Sequence, residues 1–174
     1  MLRNLALPVI LQSRVGPVTL RRASPGDLDS LMMLLSDDPV SASRGDTAAL
    51  ADRPAYLSAL TQITADRSND LLIALDGERR ILGTMQLTLI PGMARRGSTR
   101  LLIEAVRVRS DTRSSGIGSA MMRWVTDIAA PSLDAGLVQL TSDAVRTDAH
   151  RFYERLGFVK SHVGFKYQVL SDAE

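Results

Sequence analysis

The sequence predicts a single α+β domain. Its 174 residues suit one ordinary core. Helical and strand periodicities follow one another in the order β-α-α-β-β-β-α-β-α-β. A hairpin in the middle of that order excludes a purely parallel sheet.

The elements follow in turn. "VTLRRA" reads as a strand, and the domain proper is expected to begin there, at residue 18. Ser24 then caps a helix with Pro25 at its first position. Leu28, Leu31, Met32 and Leu35 mark one face of that helix. "DDPVSASRGDTAALAD" is a polar loop with at most a weak turn. "RPAYLSALTQITAD" gives a second helix, its face marked by Leu57, Leu60 and Ile63. "DLLIALDGERRILGTMQLTLIPG" is the hairpin, with Asp76 and Gly77 in its turn. "MARRGST" connects it to a further strand, "RLLIEAVRV". Ile117, Ala120, Met121, Trp124, Val125 and Ile128 form the stripe of the next helix, which Pro131 ends. "GLVQLTSD" is a strand. "TDAHRFYERLGF" is a short helix with Gly157 placed for its C-terminal cap, and "VGFKYQVL" reads as a last strand.

Composition narrows the function. The formal charge of +2 gives no case for nucleic-acid binding. The pI near 9.4 reflects arginines spread along the chain. There is no cysteine, so disulfides, thiolate metal sites and a cysteine nucleophile are excluded. The two histidines, His150 and His162, make a metal site an unattractive reading, and both read as surface residues. No apolar run has the length of a membrane span, and a cytoplasmic location is expected. Residues 1–17 carry no small-residue cleavage site after their apolar stretch and read as an N-terminal extension of a domain at 18–174.

The residues that carry chemistry lie in "RSSGIGSAMMRW" (113–124). Two glycines one residue apart precede an apolar helix. A nucleotide P-loop would need a lysine after the second glycine, and none follows. A dinucleotide-binding turn would need a third glycine where Met121 stands. What remains is a strand-to-helix loop. Its glycines let backbone N–H groups approach an anion, and the helix's first turn offers free donors. Such a loop suits a pyrophosphate, with Arg113 adding charge at its mouth.

At this point the chain resembles a family. "RSSGIG" matches the pyrophosphate loop R/Q-x-x-G-x-G/A of the GNAT superfamily of acetyl-CoA-dependent N-acetyltransferases. "LLIEAVRV" precedes it and "AHRFYERLGF" follows it in the family's order. The resemblance covers residues 18–170. It implies a GNAT-like fold: a mostly antiparallel central sheet with a splayed parallel strand pair, flanked by helices. It places Val106, Arg107 and Val108 where a splayed strand pairs with the pantetheine arm. Arg113, Ser114, Ser115, Gly116, Ile117, Gly118 and Ser119 fall where amides hold the pyrophosphate. Tyr153 falls where a tyrosine protonates the leaving thiolate, and Glu104 where a carboxylate takes a proton from the amine. The resemblance also counts Ala149 and Phe152 among the cofactor-binding residues. Arg146 stands where members commonly carry an asparagine that contacts CoA.

Blander readings stand beside these. Tyr153 shares a helical face with Ala149, Phe152 and Leu156, so packing alone would account for it. In a regular strand Glu104 would share a face with Val106 and Val108, and a bulge would change that phase. Arg95 and Arg96 read as solvated loop arginines before they read as an acceptor site.

The resemblance implies acetyl transfer from acetyl-CoA to a primary amine by direct attack, without a metal. A small-molecule acceptor is expected, since no acidic run surrounds "IPGMARRGST". A lysine or N-terminal protein acceptor, or a non-catalytic acyl-CoA-binding module, are the alternatives. No nucleic-acid or membrane partner is implied. The edge offered by "FKYQVL" suggests a homodimer.

Overall fold

The computed structural model describes residues 1–169. They divide into two compact units, Met1–Leu140 and a smaller one from Thr141 onward. The first unit runs β1 (Val9–Ser13), β2 (Gly16–Arg22), α1 (Leu28–Ser36), α2 (Pro39–Ala42), α3 (Arg53–Ala65), β3 (Asn69–Leu75), β4 (Ile81–Ile90), the four-residue turn α4 (Ala94–Gly97), β5 (Thr99–Val108), α5 (Ile117–Trp124), α6 (Ala130–Ser132) and β6 (Ala135–Leu140). The second unit contributes α7 (Thr147–Arg155).

The six strands form one mixed sheet in sequence order. Each neighbouring pair is antiparallel except β5 and β6, which are parallel and joined through α5. The class expected from the sequence is therefore the class observed, with two differences in membership.

Residues 1–17, expected to precede the domain, belong to the sheet: β1 pairs along its whole length with β2. Leu2, Leu5 and Leu11 are buried. Arg22 latches the segment, donating from Nη2 to the Leu2 carbonyl at 2.8 Å and from Nε to Asp70 at 2.8 Å. Burial pushes the Asp70 carboxyl upward, and Arg22 opposes that shift.

The expected last strand is not one. Residues 163–169 are exposed and enter no ladder, while Leu170 lies outside the described residues. Val163, Phe165, Tyr167 and Val169 do alternate as strand residues should. Alternation fits a half-buried surface, but a strand also needs a paired edge, and none is supplied here.

Helices cover both faces of the sheet. On one, α1 and α3 bury Leu28, Leu31, Met32 and Leu60 against Ile73 and Leu75. The start of α1 is fixed by a capping box. Asp27 accepts from the Ser24 N–H at 2.8 Å, and Arg21 beside it pulls the Asp27 carboxyl down to about 2. Tyr56 of α3 donates to Asp46, and that carboxylate raises the phenol to about 12. On the opposite face, α5 buries Ile117, Met121, Met122 and Trp124. Its continuation corrects the expected stripe. Val125–Ala129 wind as a π turn just ahead of Pro131, which has no N–H to donate back. The wider turn rotates Ile128 out to 54% exposure and carries Ala129 inward.

Candidate functional site

β5 is the strand on which the site is built. Its first half is paired on both sides: with β4 throughout, and with β6 from Thr99↔Ala135 to Ile103↔Leu140. Pairing with β6 stops there, so Glu104–Val108 have no parallel partner. The register with β4 also breaks at this place. Gln86 faces Glu104 but Thr84 faces Arg107, so three steps on β5 match two on β4. The extra residue is a β-bulge, and Ala105 carries it with φ +49°. The bulge is the phase change that a sequence pattern cannot reveal. It lets Glu104 stay exposed while Leu101 and Ile103, on the other face, are fully buried.

The half of β5 that lacks a parallel partner is held from outside. Arg107 donates from Nη2 and Nε to Ser41 Oγ at 2.6 and 3.2 Å, and from Nη1 to the Val106 carbonyl at 2.8 Å. Ser41 is positioned by α2, where Asp38 accepts from its N–H at 3.0 Å. Asp37 accepts from Ser110 N–H and Oγ at 2.6 and 2.8 Å. The α1–α2 corner thus clamps both the strand end and the segment that leaves it. Sequence reasoning missed this corner. Its signal was the Asp-Asp-Pro helix start at residues 37–39.

Beyond β5 the chain turns through Arg113–Gly116 into α5. Ser114 and Gly116 are left-handed, with φ +63° and +87°. A Cβ at Gly116 would come within 3.1 Å of the Arg14 nitrogen and Cγ. Arg14, in the β1–β2 turn, also donates its N–H to the Ser115 carbonyl at 2.9 Å. The first intrahelical bond of α5 runs from Ala120 N–H to the Gly116 carbonyl at 2.9 Å. Among the described residues, the amides of Ile117, Gly118 and Ser119 meet no acceptor. Three donors at the positive end of a helix dipole are a ready seat for phosphate oxygens. Arg113 is exposed beside them, its Nη2 3.9 Å from Asp38.

In the second unit, "YERLGF" is a helix ending. Gly157 is left-handed at φ +90°. Its N–H donates to the Glu154 carbonyl at 3.0 Å, and the Phe158 N–H to the Tyr153 carbonyl at 3.1 Å. This is a Schellman closure, and its hydrophobic contact is present. The Tyr153 ring stands edge-on to Phe158 at 6.0 Å and to Phe152 at 5.2 Å. The motif therefore has a structural cause, fixing where on α7 the half-buried tyrosine sits. Arg146 caps α7 and Ala149 is half-buried on it. His150, read as a surface residue, is half-buried, with Nε2 2.8 Å from the Asp143 carbonyl oxygen.

Arg95 and Arg96 lie elsewhere. They are left-handed residues of α4 and line a groove of about 340 Å³ with Pro131, Asp134 and Gly136. Five strand steps separate the groove's Thr99 from Glu104, about 17 Å along β5.

Comparison with known proteins places this arrangement. The family model for the acetyltransferase (GNAT) family matches residues 31–158. The chain belongs to that family. Among solved structures, a transcriptional regulator from Bacillus halodurans is 39% identical with a TM-score of 0.82, over 87% of this chain and 99% of that one. An acetyltransferase from Trypanosoma brucei is 23% identical with a TM-score of 0.69, over 87% and 99%. Glucosamine-6-phosphate N-acetyltransferase from Arabidopsis thaliana is 16% identical with a TM-score of 0.69, over 87% and 97%. The last two speak for the fold alone. None of the curated proteins matches the sequence. Among the described residues no side-chain group could hold a metal ion, and no helix is long and apolar enough to cross a membrane.

Proposed function

We propose that the protein is an acyltransferase that moves an acetyl group from acetyl-CoA to the primary amine of a small molecule. One observation carries the reading. The bulged end of β5, laddered to β4 but open on its β6 side, leads directly into a loop whose helix offers three unclaimed amides. A thioester arm would pair with the open strand edge while its pyrophosphate rests on the helix. The residues present fit that ligand: the loop carries backbone donors and Arg113.

Acetyl-CoA supplies an acetyl group already activated as a thioester. The chain's own residues do the rest. With no cysteine available, transfer is direct within a ternary complex. Glu104, exposed on the sheet face, takes a proton from the bound ammonium, directly or through water, so that nitrogen can attack the carbonyl carbon. The Val106 N–H, next to the bulge, stabilises the oxyanion that develops. Tyr153 returns a proton to the departing sulfur. The exposed apolar side chains of Phe165, Tyr167 and Val169, within the "FKYQVL" segment, support a second proposal, a homodimer.

The test has two arms. Acetyl-CoA should raise the melting temperature, and a panel of small amines should release CoA thiol. Tyr153→Phe keeps the ring packed and removes the hydroxyl. Turnover should fall by ~10²-fold with acetyl-CoA affinity unchanged. Full turnover in Tyr153→Phe would falsify its role as the acid.

A further inference from the structure

The face of β5 that carries Glu104 also carries Arg100 and Leu102, because Leu101 and Ile103 turn to the buried side. Across the ladder these three face Gln86, Ile90 and Thr88 on β4, and Leu102 faces Gln139 on β6. The result is a half-buried strip with Glu104 at one end and Arg100 at the other. Their Cα atoms are four strand residues apart, about 13 Å.

Arg100 is unusual there. It donates from Nη1 to Gln139 Oε1 at 3.2 Å, a neutral partner. Its Nε is buried and has no hydrogen-bond partner. Among the described residues it makes no ion pair, in contrast to the carboxylate-bound Arg21 and Arg22. A guanidinium set into a sheet with a buried donor unclaimed is costly unless an acceptor completes it. The planar fork matches a carboxylate or phosphate held by two parallel bonds. Gln86, Thr88 and Gln139 carry no negative charge, so an anion that completes the guanidinium would come from outside the strip.

We infer that Arg100 is the anion anchor of the acceptor site. The acceptor is then an amine that carries an acidic group, carboxylate or phosphate, several bonds from its nitrogen. With the acid seated on Arg100, the chain of the acceptor lies along the strip and its amine reaches Glu104. The inference rests on the proposal that Glu104 is the base.

Three amines of one length separate the outcomes: aminohexanoate, hexylamine and diaminohexane. CoA release gives KM and kcat, and calorimetry gives direct binding of each amine. Wild-type protein should favour aminohexanoate over both others by ~10²-fold in kcat/KM, expressed in KM. Arg100→Met should collapse that ratio towards one, and Arg100→Lys should restore part of it. Selectivity restored by the lysine variant is something a merely structural role would not produce. Equal binding of aminohexanoate and hexylamine by the wild type overturns the inference, as does a preference that survives Arg100→Met. Failure of the acetyl-transfer reading registers separately, as absence of acetyl-CoA binding in the same calorimeter. A phosphonate in place of the carboxylate shows which acid is preferred.

Discussion

β5 is entered through Arg95, Arg96 and Gly97, three consecutive left-handed residues, and left towards Arg113, Ser114 and Gly116, two of them left-handed. Both ends thus offer arginine and a tight backbone. At the entry the chain passes into a strand that is paired on both sides, so its amides are committed to the ladder. At the exit it passes into a helix whose first amides have no acceptor. The entry groove also contains Asp134, a carboxylate that an incoming anion would have to face. Charge and curvature alone therefore do not make an anion site. Uncommitted N–H groups at a helix start are what the proposed site adds.

The largest effect should come from the exit. Gly118→Val puts a side chain where phosphate would meet backbone. Losing two charge-assisted hydrogen bonds, at about 1.5 kcal/mol each, weakens acetyl-CoA by ~10²-fold. Unchanged affinity by calorimetry would remove the exit's claim. A smaller effect is expected where the exit meets the sheet face. Glu104→Gln keeps the shape and removes the base, costing ~10-fold or more in kcat. That loss should be greatest below the acceptor amine's own pKa and shrink as pH rises and free amine accumulates. A loss of equal size at every pH would reassign Glu104 to structure. The smallest effect belongs to the entry. Arg95→Ala combined with Arg96→Ala should change acetyl-CoA affinity by less than about 2-fold. A drop comparable to that of Gly118→Val would erase the contrast between the two ends.

Much of this is legible in the sequence. Three of the four residues expected on the α1 face (Leu28, Leu31 and Met32, with Leu34 buried in place of Leu35), the Asp76-Gly77 hairpin, β5 and the start of α5 follow from periodicity and turn chemistry, because local rules decide them. The loop at residues 113–119 was legible for the same reason. What escaped depends on partners or on phase. β1 reads as part of an extension from the sequence alone, and its membership comes only from pairing with β2. Ile128 left the stripe through a π turn that shifts the helical phase. The bulge at Ala105 did the same to β5, leaving the orientation of Glu104 undecided in the sequence. The tail failed the other way, with correct alternation and no edge to join. Arg100 left a faint trace: a cation beside the apolar run Leu101, Leu102 and Ile103.

The contact between Arg14 and the loop has a practical consequence. The family pattern spans residues 31–158, yet the backbone that braces Ser115 and Gly116 is translated before that span begins. A gene trimmed to the recognisable core would encode a protein missing two of its six strands. It would also lack the backbone that braces the loop at Ser115 and Gly116. In this chain the boundary of the machine and the boundary of the resemblance do not coincide, and an N-terminal deletion would be felt first at a loop some hundred residues further on.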